Sequence, residues 1–297
     1  MAENFDVVVI GAGPAGYVAA IRAAQLKQKV AIVDKQWLGG VCLNVGCIPS
    51  KSLLKNAEVA HTLRERAKDF GFSFDNLKLD YSVAVKRSRQ NSDRLTKGVG
   101  FLMKKNNITV FMGEAKFKSK DTVAVTDKDG KATELNAKNI IVASGASAAV
   151  PPVWKVDGEK VVTYWEAILQ TTLPKSVIIF GSGAIGVEFA TVWNSYGVEV
   201  TIVEMLPEIG MDMDTLNKFY LYQSIIPNWG VKALTNMKIE EITDKGVVAI
   251  DKEGQRHEKQ KERKQGRNLC VDFMGIAYGL CCVYRRVCAS VEQEPYH

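Results

Sequence analysis

No stretch of the 297-residue sequence approaches the ~20 uncharged apolar residues that a membrane-crossing helix needs. The longest late candidate, Phe273 to Tyr284, is too short and is broken by glycines, so no span is expected. The start offers no targeting segment either: Met1-Ala2-Glu3-Asn4 leads at once into an apolar run, with no room for a signal peptide or an Arg/Ser-rich transit segment. A cytoplasmic protein is the resulting expectation. Histidine is scarce, at His61, His257 and His297 only, and the six cysteines form no Cys-x-x-Cys pair, which argues against a zinc site. Basic residues outnumber acidic ones by 39 to 33, but Arg256 to Asn268 alone holds six basic and two acidic residues and supplies most of the +6 formal charge. A short basic run of that kind reads as a solvated stretch, and no nucleic-acid partner is expected.

The chain is long enough for two domains, and 46% apolar with 24% charged residues is ordinary globular composition. Its opening runs Phe5-Asp6-Val7-Val8-Val9-Ile10, Gly11-Ala12-Gly13-Pro14-Ala15-Gly16, an Ala-rich periodic segment to Leu26, then Val30 to Asp34. That order is strand, glycine turn, helix, strand. It returns as Ser176 to Phe180, Gly181-Ser182-Gly183-Ala184-Ile185-Gly186, a helical run through Trp193, then Val198 to Glu204. Matching positions are offset by 170 residues throughout: Gly11 with Gly181, Gly13 with Gly183, Gly16 with Gly186, Asp34 with Glu204. The repeat predicts an α/β fold with two Rossmann-like dinucleotide-binding domains. A glycine turn lets backbone approach a pyrophosphate at a helix N-terminus, and an acidic residue closing the next strand accepts from an adenosine ribose. Glu204 would repel a ribose 2′-phosphate and has no nearby Arg in sequence to accept one, so the second domain is expected to take NAD rather than NADP.

Between the repeats, Pro49 to Phe70 and Tyr81 to Lys105 read as helices, and Ile108 to Phe111, Thr122 to Val125 and Asn139 to Ala143 as strands, with a hairpin turn at Asp129-Gly130. Pro151-Pro152 marks a boundary. After Glu204, strands are predicted over Val231 to Leu234, Lys238 to Thr243 and Val247 to Ile250, around a poorly patterned stretch from Gly210 to Trp229. The expected organisation is a first domain over 1–148, a second over 149–259 and an irregular tail over 260–297. The tail holds Cys270, Cys281, Cys282 and Cys288 and no period, as an altered reading frame would produce.

The segment Leu38-Gly39-Gly40-Val41-Cys42-Leu43-Asn44-Val45-Gly46-Cys47-Ile48-Pro49-Ser50-Lys51 is the most specific signal. Two cysteines five apart, with glycines around them and Pro49 opening a helix, predict a compact loop able to close as a small-ring disulfide. The helix dipole and Lys51 would both favour a thiolate there. The alternative is two independently buried cysteines.

Gly39 to Lys51 resembles the redox-active segment of the pyridine nucleotide-disulfide oxidoreductases, and Ile48-Pro49-Ser50-Lys51 is most similar to the dihydrolipoamide dehydrogenases among them. The resemblance runs from about residue 4 to about residue 250. It implies that the first domain binds FAD, that Cys47 lies against the flavin while Cys42 exchanges with a dithiol, and that Lys51 sits beside the reactive flavin nitrogen. It also implies FAD contacts at Ala115 and at the Ser144-Gly145-Ala146 turn, where the family usually has Thr at the position of Ser144. The implied reaction is ping-pong oxidation of dihydrolipoamide, free or on a lipoyl domain of a 2-oxoacid dehydrogenase complex, with electrons passing through FAD to NAD in a homodimer. Family members continue with a second FAD-contacting segment and a dimerisation domain supplying a catalytic His held by a Glu; no segment here resembles them. Two readings follow: a lipoamide dehydrogenase-type enzyme with impaired turnover, or an inactive dinucleotide-binding protein. Glutathione reductase-like and mercuric reductase-like readings are disfavoured by Glu204 and by the lack of an N-terminal metal-binding extension.

Overall fold

The computed structural model describes residues 2–151, 154–211, 213–221, 226–243, 246–260 and 268–272. In chain order these form β1 (Glu3–Ile10), α1 (Pro14–Gln25), β2 (Val30–Asp34), α2 (Gly40–Val45), α3 (Cys47–Glu65), a 3₁₀ turn (Ala67–Phe70), α4 (Tyr81–Lys105), β3 (Thr109–Met112), β4 (Glu114–Phe117), β5 (Thr122–Thr126) and β6 (Ala132–Val142). There follow β7 (Val161–Thr163), α5 (Tyr164–Ala167), β8 (Ser176–Phe180), α6 (Ala184–Ser195), β9 (Glu199–Val203), α7 (Thr215–Tyr220), α8 (Ile226–Trp229), β10 (Lys232–Leu234), β11 (Lys238–Thr243), β12 (Gly246–Ile250), β13 (Arg256–Gln260) and β14 (Asn268–Asp272). The described residues fall into two compact units, one of 2–40 with 97–145, the other of 41–96 with residues from 146 onward.

The first unit is built on a six-stranded sheet of order β3-β2-β1-β6-β5-β4. β3, β2, β1 and β6 run parallel, and β6, β5 and β4 are antiparallel. Val8, Val9, Ala31 and Ile32 have no exposed surface, because parallel strands are covered on both faces and so read as unbroken apolar runs. Each such Val or Ile contributes roughly 1.5–3 kcal/mol by leaving water. Asp127 closes the β5–β6 hairpin by accepting from the Asp129 and Lys131 amides, with Gly130 left-handed at φ 80°.

The second unit carries a five-stranded parallel sheet, β10-β9-β8-β14-β7, and an antiparallel meander, β11-β12-β13. Phe180 and Val203 of the sheet pack with Ile239, Val247 and Ala249 of the meander and with Trp154. α3 lies against α6 within this unit.

Four expectations are corrected. β14 is a central strand, paired with both β7 and β8, inside the stretch read as an irregular tail. Its five residues, Asn268 to Asp272, are too few to show alternation, and pairing with strands about 100 residues distant is what makes it a strand. The poorly patterned stretch after Gly210 holds α7, whose N-cap Asp214 accepts from the Leu216 and Asn217 amides, and α8. Cys42 sits in a short helix, α2, rather than a loop, and α3 begins at Cys47, with Gly46 as its N-cap, rather than at Pro49. β4, which carries Ala115, is an edge strand with no counterpart in the sequence reading. Expectations placed on Phe273 to Tyr284, Cys281, Cys282, Cys288 and His297 lie outside the described residues. Among the described residues no helix is long and apolar enough to cross a membrane, and no three His, Cys, Asp or Glu side chains gather as metal ligands.

Candidate functional site

In the first unit, β1 is followed by Gly11, which adopts φ 103° and lies so close to the next crossing that a Cβ would fall 2.1 Å from the Ala143 carbonyl oxygen. Ser144 is thereby brought next to the turn, while Gly145, at φ 76°, and Ala146 follow it as exposed residues outside any regular element. Gly13 is the N-cap of α1 and Pro14 occupies its first position, followed by Ala15. No side chain caps the helix, so its first-turn N–H groups remain for an incoming anion. Gly16 packs against the strand end; a Cβ there would meet the Gly11 carbonyl oxygen at 1.7 Å. Ala115 is half-buried against the apolar core of this sheet.

The second unit repeats the geometry position for position. Gly183 caps α6 with backbone angles within a few degrees of those at Gly13, again with no side-chain cap, and Ala184 and Ile185 open the helix. A Cβ on Gly186 would meet the Gly181 carbonyl oxygen at 2.2 Å. Both turns therefore fit a dinucleotide pyrophosphate: no side chain fills the cradle and the helix termini supply donors.

The two acidic residues do something that the spacing did not reveal. Asp34 Oδ2 accepts from the Ala12 amide at 2.7 Å, and Oδ1 from the Gln36 and Trp37 amides at 2.8 and 3.1 Å. Glu204, only 8% exposed, accepts at Oε2 from the Ser182 amide (2.8 Å) and hydroxyl (2.6 Å), and at Oε1 from the Leu206 amide at 2.9 Å. Each carboxylate braces its own glycine turn. With about four lone-pair sites per carboxylate, each keeps one acceptor position for a ligand hydroxyl.

Cys42 and Cys47 come together as free thiols, Cys47 exposed as the first residue of α3. The Cys42 thiol donates to Cys47; this contact, reinforced by the Lys51 charge and opposed by burial, lowers the Cys47 thiol to about 6. Cys42 moves the opposite way, held protonated by the same hydrogen bond and by burial. Arg89 of α4 donates to the Asn44 carbonyl between the two cysteines at 2.5 Å, fixing the short connection. Lys51 Nζ pairs with Glu188 Oε1 of α6 at 2.5 Å. Glu188 and Arg89 are contributors that the sequence reading missed. Glu188 stands two residues after Gly186, within the second repeat, but nothing in the sequence pairs it with Lys51, and nothing there signals Arg89.

Among the described residues, His61 and His257 have partners other than the thiols. His61 lies 14 residues beyond Cys47 on α3, about 21 Å along the helix axis, and stacks on Trp229 at 4.2 Å. His257 Nε2 is 2.6 Å from Asp251 Oδ2.

The structure thus holds two glycine turns shaped for a dinucleotide pyrophosphate and, at a helix N-terminus, a pair of thiols of which one ionises readily. The sequence pattern of the family described as pyridine nucleotide-disulphide oxidoreductase matches residues 5–282, past residue 250 where the motif resemblance ends, and the chain belongs to that family. Family members use FAD and NAD(H). The chain is 46% identical over 265 residues to a dihydrolipoyl dehydrogenase of Mycobacterium tuberculosis, covering 88% of this chain and 56% of that protein. It is 44% identical over 281 residues to a dihydrolipoyl dehydrogenase of Corynebacterium glutamicum, covering 94% and 58%. The solved structure of LpdA from Mycobacterium tuberculosis superposes with a TM-score of 0.77 at 25% identity, over 91% of this chain and 58% of that one. The chain thus spans somewhat more than half the length of the relatives it matches.

Proposed function

We propose that this chain carries the FAD-binding, dithiol and NAD-binding parts of a dihydrolipoyl dehydrogenase-type enzyme, which oxidises dihydrolipoamide and reduces NAD. The observation that carries the reading is the Cys42–Cys47 pair, with Cys47 ionising at about 6 at the start of α3. In this reading Gly11, Gly13, Pro14, Ala15, Gly16, Asp34, Lys51, Ala115, Ser144, Gly145 and Ala146 serve FAD. Gly181, Gly183, Ala184, Ile185, Gly186 and Glu204 serve NAD.

A substrate thiolate attacks Cys42 of the oxidised pair, breaks the disulfide and expels Cys47 as thiolate; the second substrate thiol then displaces Cys42 and closes the lipoamide disulfide. Exchange runs faster when the leaving thiol has a low pKa, which Cys47 has. Cys42 leaves the mixed disulfide and takes a proton, in keeping with its raised pKa. FAD, when bound, supplies the relay of the electron pair from the dithiol to the nicotinamide. Lys51 holds a positive charge beside Cys47, and Glu188 fixes where it lies. The substrate dithiol would arrive on a lipoyl domain of a 2-oxoacid dehydrogenase complex, and the working enzyme would be a homodimer.

A second reading, dinucleotide binding without lipoamide turnover, is favoured by the engagement of His61 with Trp229 and of His257 with Asp251. Anaerobic addition of dihydrolipoamide to the purified chain separates the two. A flavin spectrum that changes on addition, and is unchanged in Cys42→Ser, supports the first; a bound flavin that ignores the dithiol overturns it.

A further inference from the structure

Ser182 occupies the position in the second glycine turn that Ala12 holds in the first. Both backbone amides donate to the matched carboxylate, at 2.7 Å for Ala12 and Asp34 and 2.8 Å for Ser182 and Glu204. Only Ser182 adds a hydroxyl. Its Oγ, on a residue 2% exposed, donates to Glu204 Oε2 at 2.6 Å and accepts from the Gly210 amide at 3.0 Å. With the Leu206 amide on Oε1, three of the carboxylate's acceptor positions are filled, and the open one is on Oε1. The same hydroxyl ties the 205–210 segment to the turn. In the first module Asp34 draws its extra donors from the amides of Gln36 and Trp37, so no side-chain hydroxyl serves that purpose there.

We propose that Ser182 is a positioning residue that sets the preference for NAD over NADP, by holding Glu204 with its charge fixed and one oxygen open to the ribose 2′-hydroxyl. The proposal rests on the reading of the second module as the NAD site. A fixed carboxylate rewards a donating hydroxyl and repels a 2′-phosphate at the same place. A carboxylate freed from the Ser182 hydroxyl can turn aside, which weakens the first effect and relieves the second. A structural role alone would weaken both nucleotides together.

The test is titration of the full 297-residue chain with NADH and NADPH, read by nucleotide fluorescence, in Ser182→Ala, Ser182→Thr, Glu204→Ala and the Ser182→Ala/Glu204→Ala double variant, with the thermal midpoint of each recorded. Loss of one hydrogen bond to a charged group predicts about tenfold weaker NADH binding in Ser182→Ala, with NADPH unchanged or tighter. Ser182→Thr, which keeps the hydroxyl, retains the ratio. In the Glu204→Ala background Ser182→Ala leaves the ratio where it was, since the effect runs through Glu204. A wild-type preference for NADH that Ser182→Ala preserves, or an equal loss for both nucleotides, overturns the role of Ser182 alone. Equal wild-type affinities overturn the NAD reading, and this proposal with it.

Discussion

Lys51 Nζ and Glu188 Oε1 lie 2.5 Å apart across the contact between α3 and α6, one turn of helix from Cys47. The pair places two opposite charges on the same thiol: Lys51 lowers the Cys47 pKa and Glu188 raises it, while the Cys42 thiol outweighs both by donating to Cys47. Glu188 thus tempers the cation that it positions.

The thiol titration follows from that arrangement. Alkylation of Cys47 by iodoacetamide, followed by peptide mapping across pH, is expected to show a midpoint near 6 in the reduced chain. Cys42→Ala removes the largest stabilising contact and moves the midpoint up, toward the ~8.5 of an ordinary thiol. Lys51→Met moves it up by less, and Glu188→Gln moves it down. A midpoint that stays in place in Cys42→Ala would show that the helix N-terminus, not the partner thiol, governs ionisation.

The glycine turns make a prediction that separates the two modules. A Cβ at position 16 would fall 1.7 Å from the Gly11 carbonyl oxygen, and one at position 186 would fall 2.2 Å from that of Gly181. Neither fits without moving backbone, a cost of about 1–3 kcal/mol or more. Gly16→Ala is expected to yield protein without flavin. Gly186→Ala should keep the flavin spectrum and lose NADH binding. Loss of both ligands in either variant would mean that the modules do not fold independently.

The carboxylates extend this logic. Asp34→Ala strips an acceptor from the Ala12, Gln36 and Trp37 amides, so flavin content and thermal midpoint should fall together. Glu204→Ala should weaken NADH by roughly tenfold, as loss of a hydrogen bond to a charged group would, and narrow the gap to NADPH. Side-by-side titration of the two nucleotides checks it; an unchanged NADH to NADPH ratio would remove Glu204 from nucleotide selection.

Local features were legible in the sequence to the extent that they are locally determined. The 170-residue offset located both turns, both N-caps and both acidic residues, because the strand–turn–helix unit needs glycine where a Cβ would strike backbone, at Gly11, Gly16 and Gly186. Tyr81 to Lys105 was read to its ends. The brace that each acidic residue makes on its own turn was not legible, since spacing says where a carboxylate stands but not which amides it meets. β14 was missed because its pairing partners, β7 and β8, lie about 100 residues away in the chain. Arg89 was missed for a related reason: its contact with the Asn44 carbonyl spans 45 residues and two helices, and no motif marks it.

Before a substrate dithiol can open the Cys42–Cys47 disulfide it must lose a proton, and a positioned base contributes ~100- to 10,000-fold to such a step. Among the described residues, His61 is stacked on Trp229 and His257 is engaged with Asp251, and neither acts on Cys42 or Cys47. Dihydrolipoamide oxidation by the 297-residue chain should therefore fall short of a full-length relative by about that factor. Hydride transfer from NADH through flavin to a dye needs neither a base nor the cysteines, so it should fall far less and survive Cys47→Ser. Both rates are to be measured on one flavin-loaded sample, alongside His61→Ala and His257→Ala. Lipoamide turnover equal to that of a full-length dihydrolipoyl dehydrogenase would sink the expectation, and a loss of that turnover in either histidine variant would name the base.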